Sequence, residues 1–221
     1  MIPVERINYT LSEDWMILVF ILGILLVIRV RISSPGKFNK ALNALTNIRL
    51  MRQMIREETS VVRHQFMLLA VFCLNASLII YLILKYQEIA VPYLSGVVLY
   101  LAIVLSIGVL YSLKSLFIRT VEFLSNGDHG LEEYHHNVFL VARVFGLVLF
   151  PVALIFAYSP LNYFSAFLWA TIGLTLLAFT FRTLRGFMNS LHAGNSLFYI
   201  FFYICTFEIL PILVFYKALL E

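Results

Sequence analysis

Glu208 is an acidic residue in an otherwise apolar stretch of this 221-residue chain, and no other charged residue lies between His192 and Lys217. If the stretch crosses a membrane, an ionisable side chain there costs at least a few kcal/mol and marks a candidate functional site. Pro211 follows three residues later and has no backbone N–H, so a carbonyl oxygen near Phe207 loses its helical donor. Acids beside such interruptions form proton and cation sites in membrane helices.

Two residues elsewhere in the chain are candidate partners for the Glu208 carboxyl group, Asn75 and Arg143. Asn75 lies about 12 residues into the second long apolar segment, close to the depth of Glu208. Arg143 lies only about six residues into the fourth segment, a vertical offset of roughly 10 Å at 1.5 Å per residue. This count favours Asn75, Tyr203 or a backbone carbonyl as the partner, with Arg143 as a partner of longer reach.

Two roles stay open for this intramembrane polar site of Glu208, Pro211, Asn75 and Arg143. In the first, a protonated Glu208 donates one hydrogen bond to a neighbouring helix and contributes only to packing. In the second, Glu208 binds a proton or a cation as part of a transport cycle.

A second group of side chains has the composition of a metal site: His129, Glu132, Glu133, His135 and His136. On a helix, four of them would share one face at positions i, i+3, i+4 and i+7. Glu-x-x-His pairs of this kind bind iron in helical bundles. Gly127 and Gly130 disfavour a helix start here, however, and such sites need ligands from several helices. The sequence therefore favours a solvated loop over residues 125–136, with metal binding as the alternative.

The composition indicates what kind of structure positions these candidate residues. Hydrophobic residues make up 62% of the chain and charged residues 13%, whereas soluble domains have about half apolar and a quarter charged residues. A chain of this size could not cover so much apolar surface with polar groups in water. We therefore predict a single integral membrane domain over residues 1–221.

Six segments have the length and apolarity of membrane spans: residues 15–30, 62–84, 92–117, 137–158, 162–181 and 196–216. Because lipid satisfies no backbone polar group, such segments must be helical. The sequence predicts an all-α, polytopic transmembrane helical bundle. With both termini on the outer side, all 16 Lys and Arg residues except Arg6, Lys85 and Lys217 fall on the cytoplasmic side, as the positive-inside rule requires.

Residues 37–56, between the first two segments, have apolar residues at three- and four-residue steps and basic residues between them. This pattern predicts one basic amphipathic helix at the cytoplasmic surface. Its basic residues would bind the anionic inner leaflet of the bilayer: Lys40, Arg49, Arg52 and Arg56. The alternative is a docking face for a partner protein. Lipid binding also explains the basic pI of about 9.1 without a nucleic acid partner.

The C-terminal part carries a distinctive pattern, His192 to Tyr199 followed by Phe202 to Pro211. Together with the stretch from Asn137 to Pro160, it resembles an uncharacterised family of small polytopic membrane proteins in Bacteroidota, a domain of unknown function. The resemblance implies a location in the bacterial inner membrane and emphasises Glu208 and Pro211. It implies no reaction.

No phosphate-binding loop, nucleophile elbow or His-Glu-x-x-His zinc helix occurs in the sequence, so we predict no cofactor. The short outer loops and the basic helix favour a non-enzymatic scaffold or a subunit of an envelope assembly. Its partner would be another membrane protein or a second copy of the chain. The alternatives are a small proton- or ion-linked transporter or channel that uses Glu208 and, third, a metalloprotein that uses residues 129–136.

Overall fold

The computed structural model describes the backbone of residues 11–33, 43, 62–88, 94–124 and 129–192. It describes the side chains of residues 11–33, 43, 66–88, 94–120, 136, 138–160 and 162–185. The predicted amphipathic helix, apart from Asn43, and the predicted sixth span lie outside these ranges. Both stay predictions.

Five long α-helices make up the described part of the chain: α1 Asp14–Ser33, α2 Val62–Tyr86, α3 Gly96–Leu124, α4 His129–Tyr158 and α5 Phe164–His192. A short 3₁₀ turn, Leu161–Tyr163, connects α4 to α5, and no strand occurs in these ranges. Each of the five helices contains a segment long and apolar enough to cross a membrane. The prediction of an all-helical protein with long apolar segments is confirmed for these five.

The helix that contains the predicted fourth span, α4, begins at His129, although the part of it that could cross a membrane begins at Val138, close to the predicted residue 137. The solvated loop predicted for residues 125–136 is therefore wrong from His129 onward. Lengthening an existing helix is inexpensive because each added residue gains one hydrogen bond, and Leu131 and the two glutamates after it favour helix. Together these effects outweigh the cost of Gly130, which is about 1 kcal/mol.

The start of α3 also differs from the prediction, at Gly96 instead of residue 92. Gly96 has a φ of 54°, a left-handed conformation that glycine adopts without a steric penalty. The chain changes direction there and enters the helix.

Helices α2 and α4 form the centre of the bundle and contact each other along much of their length. Helices α1 and α3 pack against α2, and α5 packs against α4. The main core contains fully buried side chains from three helices, among them Met16, Leu78 and Phe156. A smaller cluster around Ile118 and Val138 joins α3 to α4.

Successive helices run in opposite directions, so five helix ends lie together at what we call the Glu13 end. There Lys85 binds Glu13, and the ring of Tyr86 stacks on Phe164 with a centroid distance of 3.7 Å. We call the opposite side the arginine end, because it holds most of the basic residues with described side chains: Arg29, Arg31, Lys114, Arg119, Arg143, Arg182 and Arg185. The basic residues that the sequence places on one side of the membrane thus lie at one end of the folded bundle.

Helices α2 and α4 approach each other closely at Gly146. A Cβ atom built on this residue would lie 2.7 Å from the Phe72 Cα atom and 2.9 Å from its backbone nitrogen. Backbone atoms of a helix cannot move away as a flexible side chain can. Glycine is therefore required where α4 passes α2.

We predict that Gly146→Ala lowers the free energy of unfolding by about 1–3 kcal/mol, because the added methyl group forces α2 and α4 apart. Thermal unfolding of the purified protein in detergent measures the effect. Gly173→Ala on α5 is the matched control, since a Cβ atom there has no neighbour within 4 Å. An unchanged melting temperature for Gly146→Ala would contradict the required contact.

Candidate functional site

The residues predicted for the intramembrane site divide into two groups. Asn75 and Arg143 are described by the structure, on α2 and α4. Glu208 and Pro211 lie outside the described residues, as do the basic residues of the predicted surface helix, Lys40, Arg49, Arg52 and Arg56. The described part of the site consists of Asn75 on α2 and Arg143 on α4, and of the α5 residues that lie near them.

Asn75 joins the two central helices. Its side chain is 2% exposed, and its Nδ2 atom donates a hydrogen bond to the Gly146 carbonyl oxygen at 3.2 Å. The bond is within reach because Gly146 lets the helices approach closely. Pro151 lies in the next turn, and its missing N–H removes the helical donor of the Leu147 carbonyl. We call the group of Asn75, Gly146 and Phe72 the Asn75 contact.

The Asn75 contact also fixes the depth of Arg143. Gly146 is only three residues beyond Arg143, so the level of Asn75 is about 4.5 Å from that of Arg143 at 1.5 Å per residue. Arg143 is therefore closer to the level of Asn75 than the count from residue 137 indicates. The reason is the register of α4 against α2, which the hydrogen bond between Asn75 and the Gly146 carbonyl shows.

Two further arginines on α5 face the interior of the bundle, Arg182 and Arg185. Arg185 is 6% exposed, and the guanidinium carbon of Arg182 lies 5.2 Å from the centre of the Phe179 ring. The Nε atoms of both residues and of Arg143 are buried. Sequence reasoning placed Arg182 and Arg185 only on the cytoplasmic side. Arg182 and Arg185 follow buried Thr171 by eleven and fourteen residues, which is close to whole turns of a helix. This spacing puts them on the same face as Thr171 and could have identified that they face inward.

A second polar group at the Glu13 end was not predicted, and we call it the Glu13 cluster: Glu13, Lys85, Tyr81 and Trp15. The Lys85 Nζ atom binds the Glu13 carboxylate and donates a hydrogen bond to the Leu11 carbonyl oxygen at 3.1 Å. The Tyr81 hydroxyl donates to the same carboxylate at 2.8 Å, and so does the Trp15 indole N–H. Sequence reasoning placed Glu13 and Lys85 on the same side of the membrane but had no information that α1 and α2 are in contact.

The electrostatics of the Glu13 cluster favour the ion pair. Partial burial raises the pKa of Glu13, but hydrogen bonds from Lys85, Trp15 and Tyr81, together with the Lys85 charge, outweigh this effect. The net result is a pKa below the ordinary value for glutamate. The carboxylate therefore stays ionised at neutral pH and ties the segment before α1 to the end of α2.

The helical face proposed for metal binding is present in the backbone, since residues 129–136 belong to α4. Of its five candidate ligands, only the His136 side chain is described, and it is partly buried. Among the side chains that the structure describes, no group of three or more His, Cys, Asp or Glu could hold a metal ion. Metal binding by His129, Glu132, Glu133, His135 and His136 stays a prediction.

Comparison with known proteins identifies the chain. The family model for a domain of unknown function, DUF4271, matches residues 16–219. The chain belongs to this family. Neither the curated proteins nor the solved structures contain a match. The DUF4271 match extends over all five described helices and over Glu208, so the family includes both the described bundle and the predicted sixth segment.

We predict that Asn75→Ala lowers the free energy of unfolding by about 1 kcal/mol, the usual range for a hydrogen bond between membrane helices. Chemical denaturation in detergent micelles measures the change. Ser106→Ala is the matched control, because the Ser106 hydroxyl bonds only to the Ala102 carbonyl of its own helix and is exposed. Equal effects of the two substitutions would show that the Asn75 contact does not stabilise the bundle.

We predict that Glu13→Gln lowers stability at pH 7 by about 1 kcal/mol, because the pair is partly exposed. The folded-state pKa of Glu13 is below its ordinary value, so this stabilisation is present above the unfolded pKa and is lost as the pH falls through the folded pKa, below about 4. Melting curves between pH 3 and about pH 7 test this dependence.

Glu88→Gln is the control for this measurement, since Glu88 is exposed at the same end of the bundle. The difference between wild type and Glu13→Gln should shrink as the pH falls, whereas Glu88→Gln should match wild type throughout. A difference between wild type and Glu13→Gln that does not depend on pH would refute the ionised pair.

Proposed function

We propose that this DUF4271 protein is a non-enzymatic scaffold or subunit of an envelope assembly in the inner membrane of a bacterium. Five helices long and apolar enough to cross a membrane are consistent with a multi-pass membrane protein. The arginine end would face the cytoplasm, because basic residues accumulate on that side of bacterial membrane proteins.

The observation that carries the proposal is the outward face of α3. Leu105 is 69% exposed, and Leu101, Val109 and Leu113 are also exposed along this face. Lipid alone would satisfy these side chains, but it gives no reason for Gly108, where a Cβ atom would meet nothing within 4 Å. Gly173 on α5 is equally open, but the residues four positions before and after it, Trp169 and Leu177, are large and would keep another helix away. Glycine inside a helix costs about 1 kcal/mol relative to alanine. Close approach of a second membrane helix is the usual reason for such a glycine.

The hydroxyl groups on α3 support the same conclusion. Ser112 donates to the Gly108 carbonyl oxygen at 2.8 Å, and Ser106 and Thr120 donate to carbonyls one turn earlier in the same helix. These polar groups are therefore satisfied within α3. They leave small residues at Gly108 and Ser112, four positions apart, where another helix can come close.

The buried polar residue Asn75 also favours a structural role. Asn75 binds a carbonyl of a neighbouring helix, so its amide holds the packing of α2 on α4. The alternative of proton- or ion-linked transport through Glu208 requires water to reach that residue and stays a prediction. Lipid binding by residues 37–56 also stays a prediction.

We predict that a photo-crosslinking amino acid at Leu105 forms an adduct of one discrete mass in native membranes, because a partner helix lies over Gly108. Leu18, on the exposed face of α1, is the matched site at which no discrete adduct should form. Mass spectrometry of the adduct distinguishes a second copy of this chain from another membrane protein. Adducts of the same kind at both sites, or none at Leu105, would contradict the proposal.

Gly108→Leu should abolish the Leu105 adduct while the melting temperature changes little, since the added side chain enters open space in the isolated chain. This second variant separates loss of the partner from loss of the fold.

A further inference from the structure

One face of α2 carries polar side chains at four-residue intervals. Cys73, Ser77, Tyr81 and Lys85 follow one another by four residues, and residues four apart lie on the same face of a helix. Tyr81 and Lys85 belong to the Glu13 cluster, whereas Cys73 and Ser77 lie deeper in the bundle. The first three of these side chains are buried. This polar face of α2 is therefore closed to water in the packing that the structure shows.

The hydroxyl group of Ser77 lacks the bond that other hydroxyls of the bundle make. On α3 and α5, the hydroxyls of Ser112, Thr171 and Thr175 each donate to the carbonyl oxygen four residues earlier. Among the side chains that the structure describes, the Ser77 hydroxyl is buried and has no hydrogen-bond partner. The side chain is 0% exposed, so a water molecule cannot touch it in this packing. A buried hydroxyl without a partner destabilises the state in which it occurs.

Helix α1 covers this part of α2. The centre of the Trp15 ring lies 5.4 Å from that of Tyr81 and 5.0 Å from that of Tyr100 on α3. Helices α1 and α2 run in opposite directions, so one turn further along α1 Val19 is level with Ser77. Val19 packs against the main core. Movement of α1 away from α2 would therefore uncover Ser77.

Helix α1 is held less firmly than the central pair of helices. In the part of α1 that could cross a membrane, 22% of the residues are buried, whereas 56% are buried in the corresponding parts of α2 and α4. The Glu13 end of α1 is attached by polar groups. The Glu13 carboxylate binds Lys85 and accepts a hydrogen bond from Tyr81, and Lys85 also donates to the Leu11 carbonyl oxygen. Because the Glu13–Lys85 pair is partly exposed, these bonds can exchange with bonds to water.

We propose that α1 is a movable cover over the polar face of α2, and that the Glu13 cluster holds this cover closed. Two effects oppose each other. The Glu13 cluster stabilises the closed state, whereas the Ser77 hydroxyl gains a hydrogen bond to water when α1 moves and so stabilises the open state. The Glu13 cluster makes several bonds and Ser77 gains one, so the closed state predominates and the open state is a minor population. The cover is independent of the partner proposed for α3.

Reaction of Cys73 with a sulfonated maleimide tests the cover on the full-length protein in nanodiscs, because this charged reagent reaches a buried thiol only through water. Mass spectrometry of the peptides distinguishes Cys73 from the other cysteine of the chain, Cys205. Glu13→Gln should raise the rate of Cys73 labelling by roughly three- to tenfold, because it removes the ion pair that holds α1. Glu88→Gln, at an exposed acid of the same end, should match wild type.

A second control separates movement of α1 from unfolding. Gly146→Ala weakens the contact of α2 with α4 but leaves the Glu13 cluster intact. At a temperature well below the melting transition, it should not raise the labelling rate of Cys73. An unchanged rate for Glu13→Gln, or an equal increase for Gly146→Ala, would overturn the proposal.

Ser77→Ala should have the opposite effect to Glu13→Gln. Without the hydroxyl, opening gains no hydrogen bond, so Cys73 labelling should become roughly two- to tenfold slower and the melting temperature should rise. Ser106→Ala is the matched control, since it removes an exposed hydroxyl that bonds within its own helix, and it should not slow the labelling of Cys73. A melting temperature of Ser77→Ala that is equal to or lower than that of wild type would show that the hydroxyl does not favour opening, and would also overturn the proposal.

Discussion

Where α2 passes α4, the absence of a side chain at Gly146 brings the Phe72 backbone within the distance that a methyl group would occupy. The rest of the described bundle is arranged around this approach. It places the Gly146 carbonyl oxygen within reach of Asn75, and it makes α2 and α4 a central pair on which α1, α3 and α5 pack. In lipid, where apolar burial gives helices little reason to associate, such close contacts and interhelical hydrogen bonds determine which helices are neighbours.

The two ends of the bundle use charge differently. At the Glu13 end, one carboxylate accepts hydrogen bonds from an ammonium group, a phenol and an indole. It thereby joins the start of α1 to the end of α2, close to the start of α3. At the arginine end, three arginines from α4 and α5 have buried Nε atoms.

The chain belongs to DUF4271, a domain of unknown function, so its family assigns it no reaction. The proposed role therefore rests on how this chain uses its polar residues. Asn75 and Glu13 are engaged in contacts between helices. Helix α3 leaves a wide apolar face with a glycine in open space. A bundle that fixes its own polar groups and carries a small-residue pair on the exposed face of α3 is better suited to holding a partner than to moving a solute.

The sequence by itself determined that the chain forms long apolar helices with basic residues gathered on one side, because backbone polar groups in lipid must bond within a helix. It also identified Asn75 as a departure from the apolar pattern. Only the tertiary structure decided that α2 and α4 are neighbours, that Glu13 meets Lys85, and that Gly146 lies level with Asn75. The physical reason is that the apolar pattern gives the length of a helix but not its neighbours, since a side chain facing lipid and one facing another helix are equally apolar.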